Sequence, residues 1–272
     1  PPFLVPGDTI IILSPASHID PSFVNKATKI LEYWGLHVVQ SPHILTQYAG
    51  YSATHKERLQ DLQKAFDHPT AKAILCSRGG YGTMHLIDKL NIKTFSKHPK
   101  WLIGFSDITC IHSLLQHYGF ASIHALMARH LAVEGLGDTC SNLLKQLLFG
   151  KLPVYSIPAH PLNKVGRATG ILRGGNMCML QSLRGTPYDF PANNTILFIE
   201  DVSEAPHAVE RMLLNMKLAG ILNKLSGLII GQFTDYVEHT RLGAPLYEAL
   251  AAILSEFSYP ICFNFPIGHV QD

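Results

Sequence analysis

The chain has 272 residues, of which 47% are hydrophobic and 15% charged, and its formal net charge is +2. That composition is globular and not disordered, and the length holds one large domain or two modest ones, each with its own core. No basic block is available for nucleic acid, no apolar run has the length that spans a bilayer, and no basic-then-apolar leader opens the sequence.

Five scattered cysteines form no C-x-x-C pair. They predict reduced, buried thiols in a reducing compartment and no zinc site built on Cys.

In chain order, Asp8 to Leu13 is a β-branched run that predicts a buried strand ending in the loop SPAS. DPSFVNKATKILEYWG predicts a helix. Asp20 suits the cap and Pro21 the first turn, and Val24, Ala27, Leu31 and Trp34 share one face. LHVVQ is a strand. HKERLQDLQKAFDHP is an amphipathic helix with Leu59, Leu62 and Phe66 on its stripe. AKAILC is a strand that runs into SRGGYG, GTMHLIDKLN a short helix, KWLIGF a strand, DITCIHSLLQHYG a helix and FASIHA a strand. This alternation, through roughly the first 130 residues, predicts a parallel sheet with helices on both faces, three layers in all. In such sheets ligands bind at the carboxyl ends of the strands.

Proline-containing chain near Gly150 predicts a linker over residues 151–165. It separates an α/β domain over 1–150 from a smaller, β-rich α/β domain over 166–272, in which GRATGILRGGN, NTILFIED, LSGLIIGQF and YPICFNF read as strands. NMCMLQSLRG, APHAVERMLLNMKLAG and APLYEALAAILSEF read as helices between them.

Four strand ends carry groups with chemical potential. In GFSDIT, Ser106 stands where a strand gives way to a helix, so its hydroxyl can project above the sheet edge while helical amides hold an oxyanion. The hydrolase elbow G-x-S-x-G wants a glycine where Ile108 stands, and the plain alternative is that Ser106 or Asp107 caps the helix. SRGGYG is no nucleotide-binding loop, but its glycine pair can bring backbone amides close to a ligand, beside Ser106 if the two strands are neighbours. Glu200 ends the apolar run LFIED, and a buried carboxylate there needs a partner. His269, one of 15 histidines, follows FNFPIG. Ser106, His269 and Glu200 thus supply nucleophile, base and orienting acid from three strand ends. The histidines show no ligand-like spacing, so no metal is expected.

Taken together, GDTIIILSPAS, SRGGYG, IGFSDIT, GILRGGN with GTPYDF, LFIEDVSE with ERML, and PIGH resemble the LD-carboxypeptidase family of serine peptidases, along essentially the whole chain. The resemblance implies a Ser106–His269–Glu200 triad and an oxyanion hole made by the backbone amides of Gly80 (or Gly79) and Asp107. It also implies an α/β domain joined to a smaller domain, often in a homodimer, with no cofactor. The implied reaction is release of terminal D-alanine from a murein tetrapeptide in the cytoplasm during cell-wall recycling. The substrate's free carboxylate needs a cationic contact. Arg78, beside Gly79, is the candidate, with a salt bridge to the sheet edge as the alternative. The rival readings are a microcin-immunity-like peptidase that cleaves aminoacyl-sulfamoyl nucleotides, and a non-catalytic peptide-binding protein in which Ser106 is only a cap. Two features depart from the family. His124-Ala125 stands where His-Gly is usual, and members usually run well past the histidine, whereas this sequence ends at Asp272.

Overall fold

The computed structural model describes residues 1–238 and 240–270. The chain divides into two compact units, Pro1–Val154 and the residues from Tyr155 onward.

In the first unit, strands and helices alternate as β1 (Thr9–Leu13), α1 (Pro21–Tyr33), β2 (His37–Gln40), α2 (His55–Asp67), β3 (Ala71–Cys76), α3 (Lys93–Lys97), β4 (Trp101–Gly104), α4 (Thr109–His117), β5 (Ile123–His124), α5 (Ala128–Glu134) and α6 (Thr139–Leu148). The sheet order is β2-β1-β3-β4-β5, with every pairing parallel. Alternate residues of the central strands point to opposite faces. Ile10, Ile12, Ala73, Leu75 and Ile103 pack with Val24, Ala27 and Leu31 of α1 and Leu131 of α5. Ile11, Leu13, Ile74 and Leu102 point the other way and are buried as well. Both faces are therefore covered, which is why these strands read as unbroken apolar runs. Each such side chain contributes about 1.5–3 kcal/mol by leaving water.

Several details differ from the sequence reading: the strands expected in FASIHA and YPICFNF shrink to Ile123–His124 and Ile261–Cys262, α3 and α5 are additional to it, and two elements change character. GTMHLIDKLN is not an α-helix but two 3-10 turns, Thr83–His85 and Ile87–Lys89. They follow Gly82, whose φ of 128° no continuous helix tolerates. The buried stripe of α2 is Arg58, Asp61, Leu62, Ala65 and Phe66, rotated from the expected one to include two charged residues.

The second unit contains β6 (Ile171–Asn176), α7 (Met177–Ser182), β7 (Thr195–Val202), α8 (Pro206–Leu218), β8 (Leu225–Thr234), α9 (Leu246–Leu254) and β9 (Ile261–Cys262). Its four-stranded sheet runs β6-β7-β8-β9, again all parallel. Leu197 and Ile199 of β7 and Leu228 and Ile230 of β8 share one core with Val209, Leu213 and Met216 of α8 and Leu250 of α9. Residues 151–163 carry no helix or strand.

Candidate active site

Strand β4 ends at Gly104, and Ser106 then opens a 3-10 turn, Ser106–Ile108, that leads into α4. Ser106 has a φ of 63°, a left-handed conformation that costs a non-glycine residue about 1–3 kcal/mol. Strain of this kind turns the chain sharply and pushes the hydroxyl out of the sheet edge, as in a nucleophile elbow. The capping alternative fails. Neither the turn nor α4 has a side-chain cap, and the Asp107 carboxylate accepts instead from the Thr83 amide at 3.0 Å.

The Gly loop lies against this elbow, because β3 and β4 are neighbours. A Cβ on Gly79 would come within 3.1 Å of the Ser106 Cβ and 3.3 Å of its Oγ. Gly80 has a φ of 113°, and a Cβ there would sit 2.1 Å from the Ser17 Oγ. Only glycine fits at position 80, and at position 79 a side chain would press on Ser106. The amides of Gly80 and Asp107 donate to no backbone carbonyl among the described residues.

Several supports were not legible in the sequence. Thr83 Oγ1 donates to the Asp107 carbonyl at 2.6 Å. Arg58 is buried and donates to the carbonyls of Pro15 (2.6 Å), Gly82 (2.9 Å) and Ala53 (3.3 Å), with its guanidinium 4.6 Å above the Tyr51 ring. Burial pushes the Asp107 carboxyl above its ordinary range, against the opposing pull of the Thr83 bonds and the Arg58 charge. Behind the elbow, His112 places Nε2 2.8 Å from the Gly104 carbonyl and Nδ1 2.8 Å from the Ser122 hydroxyl. Burial lowers its pKa to about 4, so the ring is a neutral strut that donates to Gly104. Ala125, where the family usually has glycine, still brings its amide to the Gly104 carbonyl at 3.2 Å.

In the second unit, Glu200 lies in β7, fully buried, and its Oε2 is 2.9 Å from His269 Nδ1. A carboxylate there fixes the tautomer with the proton on Nδ1, which makes Nε2 the basic nitrogen. Gly268 permits the approach. Its φ is 137°, and a Cβ would meet the Gln232 carbonyl at 2.9 Å and the Glu200 Cβ at 3.2 Å. The Gln232 amide donates to the Ile267 carbonyl at 2.9 Å and Thr234 Oγ1 to the His269 carbonyl at 3.3 Å, which ties this segment to β8. Beside Glu200, the Asp201 carboxylate accepts from Asn176 Nδ2 and the Cys178 amide, each at 2.8 Å, and so anchors the start of α7. Its pKa is pushed up to about 6, chiefly by burial.

The structure thus brings Gly79 against Ser106, and Glu200 against His269. Ser106 belongs to the first unit, and the Glu200–His269 pair to the second. Among the described residues no group of His, Cys, Asp and Glu is arranged to hold a metal ion.

Residues 10–125 match the LD-carboxypeptidase N-terminal domain, and residues 169–272 the LD-carboxypeptidase C-terminal domain. The chain belongs to the LD-carboxypeptidase family. It is 31% identical to the probable murein peptide carboxypeptidase of Bacillus subtilis, over 99% of this chain and 86% of that one. It is 29% identical to the murein tetrapeptide carboxypeptidase of Pseudomonas aeruginosa, over 96% of this chain and 87% of that one. Among solved structures, the muramoyltetrapeptide carboxypeptidase of Oxalobacter formigenes superposes with a TM-score of 0.87 at 28% identity, covering 97% and 90% of the two chains. The protein MccF, solved with glutamyl sulfamoyl guanosine, superposes with a TM-score of 0.84 at 22% identity, over 97% of this chain and 88% of that one. At that identity the likeness to MccF speaks for the fold alone.

Proposed function

We propose that this LD-carboxypeptidase family member is a serine hydrolase that releases the terminal D-alanine of murein tetrapeptides, with Ser106 as nucleophile, His269 as general base and Glu200 as the acid that orients it. The observation that carries the reading is the left-handed φ of Ser106 at the carboxyl end of β4, where Gly79 packs against its side chain. The names of the relatives supply the substrate class.

On this reading His269 Nε2 takes the proton from Ser106 Oγ as the oxygen attacks the carbonyl of the L-centre. The Gly80 and Asp107 amides hold the oxyanion, each such donor being worth about 10²–10³ in kcat. The C–N bond then breaks, and D-alanine leaves with the proton from His269. Water, deprotonated by the same ring, hydrolyses the acyl ester and restores Ser106. Arg78 and Gly79 contact the substrate, and no cofactor takes part. The peptide is met in the cytoplasm during cell-wall recycling, which suits five scattered cysteines with no C-x-x-C pair, and the working form is a homodimer.

The test is incubation with L-Ala-γ-D-Glu-meso-diaminopimelate-D-Ala, followed by mass spectrometry. The native chain is expected to release one D-alanine, and Ser106→Gly none. Cleavage of an aminoacyl-sulfamoyl nucleotide with the tetrapeptide untouched would contradict the substrate assignment. Equal release by both chains would contradict the nucleophile.

A further inference from the structure

Two arginines stand together at the carboxyl edge of the first sheet. Arg78 directly precedes Gly79, whose backbone abuts Ser106. The Arg129 amide donates to the Ser77 carbonyl at 2.9 Å, so the second arginine is pinned by its main chain to the residue before the first. Arg78 is half-buried, whereas Arg129 is exposed. Arg129 lies 5.8 Å over the Phe23 ring, and Arg78 Nη1 reaches the His18 carbonyl at 3.4 Å. Among the described residues, the ion pairs involve neither one. The salt bridge that would give Arg78 a merely structural role is therefore absent. Burial, and then the neighbouring charge of Arg129, lower the pKa of Arg78.

Among the described residues, none of the chain's acidic side chains forms an ion pair with either arginine. Holding two cations together costs free energy that an incoming anion recovers, and a planar guanidinium fork matches a carboxylate bidentately. The position selects which carboxylate. A peptide whose scissile carbonyl lies at Ser106 presents, on the leaving side, an alanine whose free carboxylate is close to the bond being cut.

We propose that Arg78 and Arg129 together form the receptor for the free carboxylate of the departing D-alanine, and so confine the enzyme to chain ends. The proposal rests on the reading of the protein as a carboxypeptidase acting through Ser106. It adds Arg129 as a specificity-determining residue. Held by two forks, the carboxylate fixes the scissile bond over Ser106. A blocked or extended C-terminus would instead leave the half-buried Arg78 cation uncompensated, so discrimination comes from the penalty as well as from the attraction.

The test compares kcat/KM for the tetrapeptide with a free C-terminus and for the same peptide as its carboxamide. The native chain is expected to prefer the acid by about 10²-fold or more, the range of charge-assisted hydrogen bonds to a fork. In Arg129→Met, which keeps an apolar stem on Phe23, the acid-over-amide ratio is expected to collapse toward unity, and Arg129→Lys should restore part of it. A structural defect would lower both rates together and leave the ratio intact, as would a misfolded variant. Turnover of acid and amide at equal rates by the native chain would overturn the receptor while leaving the carboxypeptidase reading in place. So would an unchanged ratio in Arg129→Met. No release of D-alanine from the free acid would overturn the parent reading, and the receptor with it.

Discussion

Ser106 and His269 stand at sheet edges of similar architecture but are prepared by different means. In the first unit the special feature is in the backbone, a left-handed serine against glycines that leave no room for a Cβ. In the second it is in side chains, a fully buried carboxylate facing a ring at 2.9 Å. Backbone strain is a local cost that any non-glycine residue at position 106 must meet, whereas a buried carboxylate and its hydrogen-bond donor depend on each other. Removing one group of such a pair leaves the other stranded.

The largest effect expected from this contrast separates activity from stability. Ser106→Gly and His269→Ala should each lower kcat/KM by about 10⁴-fold or more. Their melting behaviour should differ in direction. Glycine accepts φ 63° without strain, so Ser106→Gly should be unchanged or up to about 1 kcal/mol more stable. His269→Ala leaves Glu200 buried without its base and should lose about 3 kcal/mol. Denaturant melts of the two variants check this. Equal losses would remove the distinction.

A smaller effect appears with pH, and its sign differs between His112 in the first unit and Asp201 in the second, with the raised Asp107 at the elbow offsetting part of the His112 effect. His112 behind the elbow has its pKa lowered to about 4 by burial, against an ordinary 6.5. The unfolded chain binds the proton first, so stability present above pH 6.5 is lost as pH falls toward 4, up to about 3 kcal/mol. Asp201 has its pKa raised from 3.8 to about 6 by burial. There the folded form holds the proton more tightly. Its contribution is complete below pH 3.8 and is lost as pH rises through 6, again by up to about 3 kcal/mol. Between pH 7 and pH 4.5, hydrogen exchange corrected for intrinsic rates should therefore show β4 and α4 losing protection relative to β6 and β7. His112→Gln should remove the shift from the first unit, and protection moving in parallel in both units would break the account.

The sequence was most legible where burial acts on both faces of a strand. The runs at Thr9–Leu13, Ala71–Cys76 and Trp101–Gly104 show no helical or alternating period, and they proved to be central parallel strands. Ser106 was legible because it stands where an apolar strand gives way to a helix, with Gly104 two residues before it to allow a tight turn. Its strain was not, since a φ angle leaves no mark on a serine. Glu200 and His269 are 69 residues apart, and only their strand-end positions and the family resemblance linked them. The supporting polar groups were not legible. Arg58 lies in a helix read as amphipathic, off the expected stripe of Leu59, Leu62 and Phe66, and its burial is matched by three loop carbonyls that converge on it. His112 reads as one more surface histidine until Gly104 and Ser122 are found on either side of it. The five-residue α3 and seven-residue α5 are too short to establish a period.

The claim that these two differently built halves form one catalytic apparatus is tested most directly by a double-mutant cycle on tetrapeptide hydrolysis with Ser106→Gly, His269→Ala and the pair. Residues that act as a unit are strongly non-additive, so the double variant should retain the same residual kcat/KM as either single one. A double variant that loses the product of the two single effects would show that Ser106 and His269 work independently, and would contradict the account.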